Sequence, residues 1–390
     1  MTEFRKAFLS VISATLGDKL PDVPEGFDYS AAYEIARQYQ IVPLVYYGAL
    51  KIPGFKESKI GQAFFFDTCR YLSVSERQMV ELEGIYRAFE NAGIDYMPFK
   101  GAVLKELYPK PEMRPMGDAD ILIQNDRYAD IRNIIGGMGF EELPENDPVY
   151  NWDKNGILHL ELHRSLFSEK NADFYGYFRT GWERAARQGG SHRYSMSAED
   201  EFIYLFTHFA KHYRNGGIGI KHMVDFYVFL MYNTNMDKKY LESGLRQLHL
   251  YEFYLNVMHT LDVWFGGAQS DEMSDFITDK IFSSGTFGTA DAANRAQVLR
   301  ESENHSAFRR KRIVSVIFPD YRAMCTLYGF LKKMPVLLPV MWVVRWINVL
   351  LNKRGSIKRA YGRLRGISEK NVSEYQQELD YVGLDFKFKE

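Results

Sequence analysis

The chain has 390 residues, room for more than one packed unit, and 46% of them are hydrophobic, which excludes an extended disordered protein. Its 49 lysines and arginines against 50 aspartates and glutamates leave a formal net charge of -1, so the molecule as a whole is not drawn to polyanions and any such attraction must be local. Only Cys69 and Cys325 are present, which excludes a disulfide framework or a cysteine-based zinc site and makes the cytoplasm the expected location.

The first residues set Phe4, Phe8, Val11, Ile12 and Leu16 at helical spacing behind Glu3, the pattern of a packing helix and not of a secretory signal. Helical spacing continues to about residue 92, its longest stretch running from about Lys59 to Asn91 and stopping at Gly93. The texture then changes. Residues 94–99 predict a short strand, and Gly101 opens a helical stretch with Val103, Leu104, Leu107 and Tyr108 on one side. From Asp118 the chain alternates, with Ala119, Ile121 and Ile123 set against Asp118, Asp120 and Leu122. Asn125 or Asp126 is expected to cap the next helix, whose Tyr128, Ile131 and Ile134 share a face, and Gly136, Gly137 and Gly139 to end it. Residues 140–143 predict a third strand and residues 157–164 a fourth; helical spacing returns from about Ser197. The expected organisation is α+β: an N-terminal helical region 1–92, a small mixed sheet within 93–190, and a C-terminal helical region 191–390.

The segment RPMGDADILI, residues 114–123, carries the functional argument. Side chains two apart on a strand share a face, so Asp118 and Asp120 can both reach one magnesium ion while Ala119 and Ile121 enter a core. A D-x-D pair alone decides little, since E-x-E pairs also occur at 81/83, 199/201 and 301/303. Three neighbours add weight. The apolar run follows the acids, which puts them at the mouth of the strand. Leu158, Leu160 and Leu162 alternate with His159, Glu161 and His163, which supplies a third acid on another strand. FKG at 99–101 sits between strand and helix, where backbone N–H groups and Lys100 could hold phosphate oxygens.

In the order KG, then R-P-M-G-D-x-D, then E-L-H, the chain resembles the uncharacterised nucleotidyltransferases of the polymerase-β-like superfamily, most specifically over residues 93–165 and more loosely through HFAKH at 208–212 and KHMVDF at 221–226. The resemblance implies a short mixed sheet flanked by helices, and transfer of a nucleoside monophosphate from an NTP such as ATP to an acceptor hydroxyl with the help of two Mg²⁺ ions. It makes Asp118, Asp120 and Glu161 the metal ligands and catalytic acids, and Lys100, Gly101 and Arg114 the nucleotide contacts. Ala102 departs from the superfamily, where a serine or a second glycine follows the turn glycine, so Lys100 or Arg114 is expected to compensate.

His159 and His163 flank Glu161 and are candidates to orient it or to meet the acceptor; His208 and His212 are spaced one helical turn apart and are expected beside the nucleotide site. Between Arg309 and Arg365 there are 14 basic residues and one acid, Asp320, which suggests RNA, an anionic lipid surface or an acidic glycan as a local partner. The apolar stretch 334–351 contains Arg345, Asn348 and two prolines; it is expected to be a core or interface helix kinked at Pro339 and not a transmembrane span. The rival readings are a D-x-D glycosyltransferase and a catalytically inactive scaffold binding RNA or lipid through the basic region.

Overall fold

A computed structural model of the protein describes residues 1–17, 19–169, 171–215, 218–284, 317–352 and 369–384. The chain divides into two compact units, one made of Met1–Lys211, Ile218–Thr286 and Phe388–Glu390, the other of His212–Gly217 and Phe287–Lys387.

The first unit opens with helices α1 (Glu3–Leu16), α2 (Tyr29–Gln38) and α3 (Val42–Ala49), followed by the long α4 (Lys59–Ala92). Ser58 starts α4 by accepting from the Gly61 amide, and Gly93, at φ 61°, ends it in the left-handed conformation that glycine adopts without penalty. Its second half carries Leu82, Ile85, Tyr86 and Phe89 on one face, and these form the floor of the main core.

Above that floor lies a mixed five-stranded sheet in the order β1 (Tyr96–Phe99), β2 (Asp118–Ile123), β5 (Leu158–His163), β4 (Val149–Lys154) and β3 (Glu141–Glu142). Strands β2 and β5 are parallel and the other neighbours antiparallel. Ala119, Ile121 and Ile123 from β2 and Leu158, Leu160 and Leu162 from β5 are fully buried against α4, as their alternation requires. Between β1 and β2 come the one-turn helix α5 (Gly101–Leu104) and two 3₁₀ turns; α6 (Tyr128–Gly137) follows β2. After β5 come α7 (Ala172–Phe178), a small hairpin of β6 (Ala185–Arg187) and β7 (Tyr194–Met196), and then α8 (Ala198–Arg214), α9 (Ile220–Tyr232), α10 (Lys238–Gln247), α11 (Tyr251–Leu261) and α12 (Glu272–Ser284).

Several local expectations shift. The third strand is only Glu141–Glu142: it starts after Phe140, whose amide bonds to the Ile135 carbonyl at the end of α6. Asn125 and Asp126 lie in a 3₁₀ turn and do not cap α6; Asn125 instead accepts a hydrogen bond from the Tyr150 hydroxyl.

In the second unit, α13 (Tyr321–Leu327) and α14 (Leu338–Asn352) pack around Met324, Cys325 and Leu331, and α15 (Glu369–Tyr381) lies further along the chain. Pro339 does not kink a helix. It sits in the first turn of α14, where its missing N–H has no intrahelical partner to lose. No helix among the described residues is long and apolar enough to cross a membrane. Ten of the 14 basic residues of the stretch 309–365, including Arg309, Arg310, Lys311 and Arg312, lie outside the described residues.

Candidate functional site

Parallel pairing sets Asp118 opposite His159 and Asp120 opposite Glu161, with Leu122 opposite His163. Side chains in register on neighbouring strands share a face, so the three carboxylates and the two histidines all stand on the side of the sheet away from α4. Antiparallel pairing also brings Phe99, the last residue of β1, opposite Asp120, which delivers the following Lys100–Gly101 turn to the same place.

Asp120 is the centre of the cluster. Its buried carboxylate takes two contacts on Oδ1, from Lys100 Nζ at 2.6 Å and from His163 Nε2 at 2.8 Å. Burial alone would raise its pKa, but the Lys100 and His163 contacts overcome that and hold it well below the usual carboxylate range. For Lys100 the balance is the mirror image: burial opposes the charge, and Asp120 overrides it and holds the ammonium above the ordinary lysine value. Glu161 is partly exposed, with one oxygen 3.3 Å from His163 Nε2 and the other 3.9 Å from His159 Nε2. Without a metal between them both carboxylates can only accept from His163, which puts a ring proton on Nε2; the buried Nδ1 has no hydrogen-bond partner among the described residues. Asp118 is exposed at the strand mouth, yet the surrounding protein strips enough water from its carboxylate to raise its pKa. The charges of Asp120 and Glu161 add to that rise, and Lys100 and Lys221 oppose it.

Oxygens of Asp120 and Glu161 and a nitrogen of His163 all lie within 4.8 Å of one another, the spacing of ligands around one cation. Hard oxygen donors suit Mg²⁺, and a ring nitrogen in the set also suits Mn²⁺. Lys100 has φ 53° and ψ -122°, a region that costs an ordinary side chain on the order of 1–3 kcal/mol, so the turn is held open by its surroundings. Gly101 is required by space. A Cβ there would sit 2.7 Å from Arg114 Nη1 and 3.2 Å from Met116 Cγ.

Arg114 is held in an ion pair. Its guanidinium grips Asp225 on α9 through Nε to Oδ1 at 3.1 Å and Nη2 to Oδ2 at 2.9 Å, and the Tyr108 hydroxyl donates to the same carboxylate at 2.7 Å. Both charged groups are buried. Burial disfavours each charge, and each partner restores the other: Arg114 is held above its ordinary pKa and Asp225 below. This pair ties the segment that precedes β2 to α9.

The tie brings in Lys221, one helical turn before Asp225 at the start of KHMVDF. Its ammonium lies close enough to Asp118 to feel that charge. Burial first, then the neighbouring Arg114, lowers its pKa to about 8. The signal in the sequence was the four-residue spacing of Lys221 and Asp225, which puts both on one face of a helix. From α8, the Tyr204 ring packs edge-on against Phe99, and the His208 ring stacks 6.2 Å from Tyr204. His212 lies one turn further along, and among the described residues neither His208 nor His212 belongs to a cluster with metal-ligand spacing.

The family model described as uncharacterised nucleotidyltransferase matches residues 25–266, more than half of the chain. The chain belongs to this family. No curated protein and no solved structure matches it. The match to this nucleotidyltransferase family takes in β2, β5, α8 and α9, and with them the carboxylates, Lys100, the Arg114–Asp225 pair and Lys221.

Proposed function

We propose that the protein is a metal-dependent nucleotidyltransferase that moves a nucleoside monophosphate from an NTP to an acceptor hydroxyl, with residues 93–190 as its catalytic core. The observation that carries this reading is the convergence of Asp118, Asp120 and Glu161 on one face of two parallel strands, beside Lys100, in a member of a nucleotidyltransferase family. Asp118, Asp120 and Glu161 would hold two Mg²⁺ ions, with His163 as a further donor once its Nε2 proton has moved to Nδ1. Bound there, the ions would neutralise polyphosphate charge, lower the pKa of the acceptor hydroxyl and stabilise the leaving pyrophosphate.

The chain's own groups supply the rest. Lys100, beside Asp120, and Lys221, near Asp118, give the polyphosphate its cationic contacts, which answers the missing hydroxyl at Ala102. Gly101 lets the backbone approach the phosphates. Arg114 positions the turn and α9 and does not touch the nucleotide. Glu161, at the exposed edge between His159 and His163, takes the acceptor proton; Tyr204 and His208 border the nucleotide.

The test is thermal unfolding with each of the four NTPs, with and without Mg²⁺ or Mn²⁺, for the wild type and Asp120→Asn. A ligand at about 100 times its Kd contributes about 2.7 kcal/mol. Stabilisation that needs both the metal and Asp120 supports the reading. An equal shift in the variant, or in the absence of metal, would refute it.

A further inference from the structure

Lys105, directly after α5, is 1% exposed, and its one hydrogen bond among the described residues is a long one, 3.5 Å from Nζ to the Arg114 carbonyl. Glu112 and Glu76 are near enough to feel its charge, yet neither forms an ion pair with it. A buried ammonium without a counter-charge is costly unless something supplies one. The space for it is present. Lys105 lines a cavity of about 180 Å³ bounded by α4 and the Pro115–Met116 segment. Ser75, 3% exposed, lines it too, and its buried hydroxyl oxygen has no hydrogen-bond partner among the described residues. Tyr71, Val74 and Met116 add apolar wall, and Arg70 stands where this cavity meets a shallower hollow of about 490 Å³.

We propose that this cavity is a second ligand site, separate from the carboxylate cluster, that binds a small organic anion. Its carboxylate or phosphate would be held by Lys105 and Ser75, and its apolar body would lie between Tyr71, Val74 and Met116. None of Asp118, Asp120 and Glu161 lines the cavity, so the site does not depend on the proposed transfer reaction. It is nevertheless close in sequence to that site on two sides: Met116 precedes Asp118 by two residues, and Lys105 follows the Gly101 turn by four. An occupant therefore presses on the backbone that presents both the carboxylates and the turn, which suits an effector.

The experiment is calorimetric titration of the full chain with phenyl phosphate and with benzoate, which separate the two head groups. The wild type is expected to bind at least one probe at a single saturable site. Lys105→Met is expected to weaken that binding by about tenfold or more, and Asp120→Asn to leave it unchanged. If Lys105→Met does not fold, Ser75→Met, which fills the cavity from α4, should abolish binding in its place. Three results would overturn the proposal: no binding of either probe, binding indifferent to the cavity substitution that folds, or binding lost in Asp120→Asn.

Discussion

Replacing Arg114 by methionine removes one half of a bidentate ion pair that is buried on both sides. The carboxylate left behind on Asp225 keeps the Tyr108 hydroxyl and the pull of the Lys221 charge, and breaking such a pair by removing one partner costs about 3–5 kcal/mol. Asp225→Leu strands the guanidinium and the Tyr108 hydroxyl together, so a loss of similar size is expected. The double variant buries no charge at this point, and its loss should fall below the sum of the single losses by at least about 2 kcal/mol. Urea denaturation followed by circular dichroism, with the slope checked against the wild type, measures all four proteins. Single losses below about 1 kcal/mol, or losses that simply add, would show that the pair does not brace α9 against the segment leading into β2.

Gly101→Ala should destabilise by about 1–3 kcal/mol, because Arg114 Nη1 stands in the way and the grip of Asp225 keeps it from yielding; thermal melts of this variant with and without Arg114→Met check that cause. Lys221 is charged below its pKa of about 8 and loses its charge as pH rises through that value, so NTP affinity in titrations from neutral to alkaline pH should fall across it in the wild type and stay flat in Lys221→Met. For Lys105, burial first and Arg114 next lower the pKa from 10.5 to about 8. The folded state therefore binds fewer protons than the unfolded state between those values, and the penalty of the buried charge is full below pH 8 and fades towards 10.5. Lys105→Met should accordingly gain about 1–3 kcal/mol at neutral pH in denaturant unfolding, with the gain shrinking through that window.

The parts of the site legible in the sequence are those governed by local period. Strand β2 and its neighbour β5 announce themselves because apolar residues alternate with Asp118 and Asp120 in one, and with His159, Glu161 and His163 in the other. The end of α4 is equally plain, since Gly93 supplies the left-handed turn. Strand β4 is not visible: VYNWDK has no two-residue period, and its place is set by pairing partners such as Leu160 opposite Trp152. The roles of Arg114 and Lys221 also escape a local reading. Arg114 is 111 residues from Asp225, and only the packing of α9 against the turns before β2 brings the two together. His163 could be placed beside Glu161 by alternation, but its contact with Asp120 depends on the parallel register of the two strands.

The most direct test of the central claim uses two samples of the same NTP, one labelled at the α-phosphate and one at the γ-phosphate, incubated with Mg²⁺, the protein and a cell extract as acceptor source. Transfer of a nucleoside monophosphate predicts that the α label enters an acceptor, that the γ label leaves as pyrophosphate, and that Asp118→Asn and Asp120→Asn abolish the incorporation. Incorporation of the γ label, or α-label incorporation that survives in both variants, would contradict it.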